Sequence, residues 1–388
     1  MNLMLPRTVI VLGLVSFLND TASEMITPLL PLFLTLSLGS GPAVVGLVEG
    51  LAEASASLLK LVSGRLADRG WNPKRLVLGG YGLSNSARPL IGLALGWGWV
   101  LLLRFLDRIG KGLRTAPRDA LIAAATGADG RGRAFGFHRA LDNAGAVLGP
   151  LLAFLLLQAG LPLEQVFLGS VVPGILVLGL LGFGLPGSLP AARPAPPPRL
   201  RWSALDAPLR GLILASAGLA LAAVPEAFLV LWAHERGLAV AWVPLLWAAA
   251  SAVKALLALP AGSLSDRIGR LPVLALGWGT RILVLLALAL GRDGTAFTWT
   301  LFLLYAACLA FTEGAERALV GDRAPPAHKG TAFGLYHMLS GLAALPGALL
   351  FGGIWQLWGA SVAFLCAAAV VAASLALLLG CASRAASR

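Results

Sequence analysis

The chain has 388 residues, 58% of them hydrophobic and only 12% charged, with a mean hydropathy of +0.83. About a quarter of an average soluble domain is charged, so this composition excludes a soluble globular protein. The apolar runs approach twenty residues rather than ten with alternation, which excludes a β-barrel and predicts a helical integral membrane protein. The net charge of +12 suggests nucleic acid until its placement is read: the cations fill short loops between apolar runs, a mark of membrane topology.

Twelve apolar segments are predicted, at 8–36, 43–67, 75–97, 98–123, 133–158, 163–185, 208–233, 241–265, 271–290, 297–321, 330–356 and 359–380. The first carries Asn19, Asp20, Ser23 and Glu24 near its middle, so it does not read as a cleavable signal peptide. Asp20 and Glu24 stand four residues apart and share a face. Two carboxylates close together in low dielectric do not both stay ionised without a cation nearby. They read either as a proton carrier or cation site, or as a structural salt bridge to Arg88, Arg104 or Arg108. Pro28 and Pro31 predict a bend later in the same segment.

Glu49 and Glu53 repeat the four-residue spacing in the outer half of the second segment. The fourth segment is the most charged: Arg104 to Asp119 holds seven charges inside an apolar run. Arg104, Arg108, Lys111, Thr115 and Arg118 recur at helical spacing. Such a stripe is tolerated at bilayer depth where it faces water or a partner. It reads as a substrate or proton pathway, with Asp107 among the carboxylates concerned. The rival reading is an amphipathic helix on the membrane surface.

The sixth and seventh segments are joined by LPGSLPAARPAPPPRLRW, Leu185 to Trp202. It is rich in proline and arginine with little to bury, and reads as a cytoplasmic linker. In the eighth segment Lys254 lies at mid-depth, a candidate for contact with a substrate or carboxylate, or a side chain that snorkels. The tenth carries Glu313, Glu316 and Arg317 toward one end. The even-numbered loops hold the cations, and Arg7, Arg384 and Arg388 match them. Both termini are therefore expected to be cytoplasmic.

The halves repeat. Gly64, Asp68 and Arg69 recur 198 residues on as Gly262, Asp266 and Arg267 (68 + 198 = 266). The same offset carries Gly132, Phe135, Gly136 and Gly149 onto Gly330, Phe333, Gly334 and Gly347. Two parallel six-helix halves with a binding site at their interface is the arrangement this implies. The domains expected are 1–185 and 208–388, with 186–207 as linker.

GRLADRGWNPKR, from Gly64, and GSLSDRIGR, from Gly262, resemble the signature G-x-L-a-D-r-x-G-r-k of the major facilitator superfamily. The second copy is close, and the first departs after Arg69. The resemblance implies the all-α fold of that family, twelve transmembrane helices in two pseudo-symmetric bundles. It further implies a cytoplasmic gate in which Asp68 faces the eleventh helix near Gly330 and Asp266 the fifth near Gly132. Arg69 would pair with Asp119, and Arg267 with Glu316. Arg118, Glu313 and Arg317 join this gate set, since the 198 offset swaps charge signs between Arg118 and Glu316. Arg108 to Gly112 resembles the fourth-helix motif R-x-x-x-G, whose Arg is linked to proton transfer in coupled members. An Arg does not itself deprotonate, so it would hold a carboxylate ionised or bind an anion. Gly145, Gly149 and Pro150 resemble the antiporter motif G-x-x-x-G-P-x-x-G-G without its last glycines, which implies export by exchange. A plain packing face with a kink would also produce this pattern.

The function expected is secondary transport by alternating access, and first among its forms proton-coupled efflux of organic or amphipathic compounds. An organic-anion or phosphorylated-solute carrier using the cationic fourth helix is the alternative, then a cation or metal-complex exporter, and outside the class a non-transporting sensor. The partners expected are a small-molecule substrate, protons and the lipid bilayer, with no nucleic acid, in a monomer of the inner (plasma) membrane. No cofactor is expected. Cys308, Cys366 and Cys381 show no metal-ligand spacing, so no metal is expected either. No nucleophile or metal constellation at usable spacing argues for an enzyme.

Overall fold

The computed structural model describes residues 5–68, 72–126, 131–185, 202, 207–291, 294–324 and 329–386. Arg69 and most of the linker lie outside them. The described residues are helical with short turns and no strand.

α1 (Arg7–Ile26) stops just before Pro28, which cannot supply a helical N–H. The chain resumes as α2 (Leu30–Leu32) and a π-helical turn, Phe33–Ser37. The bend expected from the prolines is thus a true interruption. α3 (Pro42–Asp68) follows. Asn72 caps α4 (Pro73–Leu90), its side chain accepting the Lys74 N–H at 2.9 Å, with Pro73 in the first turn. Next come α5 (Trp97–Ala125), α6 (Arg131–Gln158), α7 (Leu163–Gly169) and α8 (Val171–Gly184). The second half holds α9 (Ala207–Leu221), α10 (Glu226–Glu235), α11 (Val243–Ile268), α12 (Arg270–Leu290), α13 (Thr295–Arg323), α14 (Lys329–Trp358) and α15 (Ala360–Ala386).

Ten helical stretches of the described residues are long and apolar enough to cross a bilayer. The expected third and fourth segments are helices, α4 and α5, yet neither is among the ten. α5 has the length, at 29 residues, but its charges remove the apolar character. Phe183, Leu256, Leu290 and Leu357 on the ten apolar stretches are exposed.

The described chain forms two compact units. One comprises Met1–Leu38, Ser55–Pro197 and Val240–Ala248, the other Gly39–Ala54, Pro198–Ala239 and Ala249–Arg388. In the first, α1 packs along α6 and α8, and α4 along α5. Leu12, Val15, Val77, Tyr81, Ile122 and Leu181 fill its core. In the second, α9 packs on α14 and α15, and α12 on α13 and α15. An aromatic cluster of Phe228, Phe351, Trp355 and Phe364 anchors that core, with ring centroids 4.8–5.9 Å apart.

Candidate functional site

In the first unit, α4 and α5 approach closely because Gly80 and Gly110 face each other; a Cβ on either would strike the other's backbone carbonyl. That proximity brings Arg88 of α4 onto α5. Its Nε donates to Asp107 Oδ1 at 2.8 Å, and its Nη1 donates to the Asn19 side-chain oxygen at 2.9 Å and the Asn19 carbonyl at 3.2 Å. Arg104 Nη1 and Arg108 Nε stand 3.7 and 3.5 Å from Asp107 Oδ2. Asp107 is 1% exposed, so one buried carboxylate gathers three guanidinium groups. Arg114 lies beside this cluster, donating to Ser84 Oγ at 2.5 Å with its guanidinium over the Tyr81 ring at 4.5 Å. The fourth-helix charges expected along a pathway thus sit largely in the packed interior of their own unit. Gly112 packs on Leu59, and its carbonyl accepts from Ser63 Oγ at 2.7 Å.

Of the carboxylates near these arginines, Asp107 takes all three. Glu24 accepts the Trp247 indole N–H at 2.9 Å. Asp20 accepts from Asn19 Nδ2 at 3.0 Å and lies within electrostatic reach of Lys111. The Asp142 carboxyl on α6 lies within its electrostatic reach as well. Asp142 accepts from Ser16 Oγ at 2.6 Å and pairs with Arg139 at 3.3 Å. The helices meet here because Gly145 and Gly149 seat α6 on α1: a Cβ at Gly145 would strike the Phe17 carbonyl, and one at Gly149 the Thr21 carbonyl and Glu24 Cβ. The antiporter-like glycines therefore bring the helices that carry the two carboxyls together. Pro150 lies inside α6 without ending it.

Sequence reasoning missed Asp142. Its signal was its place three residues before Gly145, on the face the glycines already marked. Trp247 was missed as well, since nothing in an aromatic near a segment end predicts a carboxylate partner on another helix.

In the second unit, Lys254 Nζ donates to both Glu226 carboxylate oxygens, at 2.8 and 3.1 Å. Glu53, on the part of α3 that belongs to this unit, is exposed. The expected Arg267–Glu316 pair is not formed. Glu316 is buried and accepts from Trp278 Nε1 at 3.1 Å and the Tyr336 hydroxyl at 3.2 Å, while Arg267 is exposed. A buried carboxylate takes the donors its own packing supplies, and here those are neutral. Arg317 pairs with Glu313 one turn away, and Asp266 with Arg270, which also reaches Asp322 at 3.3 Å. Arg118 pairs with its neighbour Asp119 at 2.9 Å. Gly262 ends in open space, and Gly64 and Asp68 close α3. The expected Arg69–Asp119 pair lies outside the described residues.

Ten apolar spans among the described residues, with a Lys254–Glu226 ion pair between two of them, define a multi-pass helical membrane protein. The model of the Major Facilitator Superfamily matches residues 12–253 and 211–387, and the chain belongs to that family of transporters. It is 34% identical over 365 residues to an uncharacterised MFS-type transporter of Methanocaldococcus jannaschii, covering 91% of this chain and 89% of the relative. It is 33% identical over 135 residues to the multidrug resistance protein MdtH of Photorhabdus laumondii, covering 34% of this chain and 33% of that one. The fold is similar to the crystal structure of the nucleoside transporter NupG, with a TM-score of 0.79 at 13% identity, covering 98% of this chain and 99% of that one.

Proposed function

We propose that this transporter exports amphipathic organic compounds in exchange for protons, by alternating access, as a monomer in the inner (plasma) membrane. In this reading twelve helices cross the bilayer with both termini cytoplasmic, and residues 1–185 and 208–388 are the moving halves joined by linker 186–207. Asp68, Arg69, Asp266 and Arg267 belong to the cytoplasmic gate. The carrying observation is that Asp142 of α6 accepts from Ser16 of α1, one turn before Asp20, at 2.6 Å, on helices held together at Gly145 and Gly149. Two carboxyls side by side at membrane depth favour sharing one proton between them. Lys111, Arg114 and Arg118 of α5 and His138 and Arg139 of α6 set the field around the pair, with Glu24 one turn away. A change in that field on conformational change releases the proton, which is what coupling requires. Export is favoured by the partial similarity to multidrug resistance proteins.

The test is transport in proteoliposomes with an imposed pH gradient, using a fluorescent lipophilic dye. Wild type should acidify the lumen it exports from as dye leaves. Asp20→Asn and Asp142→Asn should each abolish gradient-driven transport while leaving dye counterflow measurable. Gradient-driven transport at wild-type rate in both variants would falsify the proton assignment.

A further inference from the structure

Asn19 of α1 is 2% exposed and stands between a cation and a carboxyl. Its side-chain oxygen accepts from Arg88 Nη1 at 2.9 Å and from Asn85 Nδ2 at 3.4 Å. Its side-chain nitrogen donates to Asp20 Oδ1 at 3.0 Å. A guanidinium has only donors, so the amide cannot turn over without setting N–H against N–H. Arg88 is itself fixed from the far side, where its Nε donates to Asp107 Oδ1 at 2.8 Å. Its Nη1 also reaches the Asn19 main-chain carbonyl, at 3.2 Å. One chain of donors and acceptors thus runs Asp107, Arg88, Asn19, Asp20, from α5 through α4 to α1.

The amide separates two charges that would otherwise pair. Were the guanidinium in contact with Asp20, an opposite charge at that range would hold the carboxyl ionised. A group that carries a proton through a cycle must lose and regain it. The amide passes on the orientation set by the arginine but not its charge, and gives Asp20 one hydrogen bond from a neutral donor. That bond favours the ionised carboxyl, because Oδ1 accepts it, and it leaves Oδ2 to take the proton. The other charges that act on Asp20 are Lys111 and Arg114 of α5, Asp142 of α6 and Glu24 of its own helix. α4 contributes Arg88 through Asn19. α8 carries no titratable residue, and α7 only Glu164, in its first turn.

We infer that Asn19 is a positioning residue for the proton step: held by Arg88 and Asp107, it fixes the Asp20 carboxyl and sets the pH at which that carboxyl takes up a proton at Oδ2. On uptake the Oδ2–H bond forms and the carboxylate charge is cancelled. On release the proton passes to water and the charge returns. The inference deepens the export reading. It rests on that reading for the use made of the proton, not for the place where the proton sits.

The test is labelling of the full chain in lipid nanodiscs with a lipophilic carbodiimide, which adds to protonated carboxyl groups. The label is read at Asp20 by peptide mass spectrometry across a pH series, without gradient or substrate. In wild type Asp20 should be labelled at low pH and not at high pH. Asn19→Ala deletes the donor and should move the midpoint upward by about one to two pH units. Asn19→Asp keeps an acceptor for Arg88 and Asn85, so it should fold where the alanine does not. It sets a carboxylate beside Asp20 and should move the midpoint further upward. Asn19→Gln restores an amide and should bring the midpoint part of the way back. Arg88→Lys keeps a charge for Asp107 but cannot hold both Asp107 and the amide, so it should raise the midpoint with Asn19 and Asp20 untouched. A lowered melting temperature with the midpoint within about 0.3 pH units of wild type overturns the inference, since a purely structural amide would give that result. An Asp20 that takes no label at any pH overturns it too. A shifted midpoint in a protein without pH-driven transport leaves Asn19 in its role and sinks the export reading alone. Transport that is pH-driven and needs Asp20, while the midpoint ignores Asn19, does the reverse.

Discussion

Asp107→Asn tests whether the charge cluster of α4 and α5 is held by one carboxylate. The substitution keeps the shape of the side chain and leaves an oxygen able to accept from Arg88 Nε, now at 2.8 Å. It removes the charge that Arg88, Arg104 and Arg108 share at 2.8, 3.7 and 3.5 Å. At 1% exposure water cannot replace it. Removing one partner of a buried ion pair costs about 3–5 kcal/mol, because the remaining charge is left uncompensated. At about 2–4 °C per kcal/mol for a folding unit of this size, the melting temperature should fall by about 6–20 °C. The assay is thermal unfolding of the purified protein in one detergent, followed by tryptophan fluorescence. Adding Arg104→Gln, which removes the most distant of the three cations, should recover part of the loss. A variant melting within about 2 °C of wild type would refute the argument that Asp107 is the counter-ion of the cluster.

Gly149→Ala should loosen the seat of α6 on α1, because its Cβ meets the Thr21 carbonyl and Glu24 Cβ; a destabilisation of about 1–3 kcal/mol is expected, read as a lower melting temperature. Glu316→Gln keeps an acceptor for Trp278 and Tyr336 and should fold like wild type, whereas Glu316→Leu strands both buried donors and should cost about 1–3 kcal/mol for each, measured in the same way. Asn72→Ala removes the cap of α4 and should cost about 1 kcal/mol; no change in unfolding would show that the cap bond carries no stability.

Much of the architecture was legible in the sequence because the bilayer is a severe filter. It demands long apolar helices, and it leaves cations in the loops where composition alone finds them. The repeat was legible too, since Gly and Asp recur in one register across separate loops. The charge partners were not. Helical spacing put Arg104, Arg108 and Lys111 on one face, but it could not say whether that face met water or a neighbouring helix. The answer came from Gly80 against Gly110, which lets α4 close on α5 and delivers Arg88 to Asp107. Likewise Glu316 was read as half of a salt bridge from its sign and position, and packing gave it an indole and a phenol instead. Spacing along one helix is a local property, whereas the partner of a buried charge is chosen by which helices pack tightly, and that depends on small residues whose effect is felt across the interface.

The repeat also explains where the two units part ways. Identical offsets keep the glycines that set helix contacts, since a Cβ there forces whole helices apart. Charged positions are freer. In the first unit one buried carboxylate, Asp107, gathers Arg88, Arg104 and Arg108. The 198-residue offset puts Tyr305 at the place of Asp107 and Leu286 at the place of Arg88 (88 + 198 = 286), so the second unit has lost both halves of that pair together. Its own buried arginine, Arg281, donates to Tyr305 and lies within electrostatic reach of the buried Glu316 carboxylate. Losing both partners at once is what burial demands, because a single charge left behind costs more than removing the pair. The glycines thus record where helices must touch, and the charges record how each unit settles its own interior.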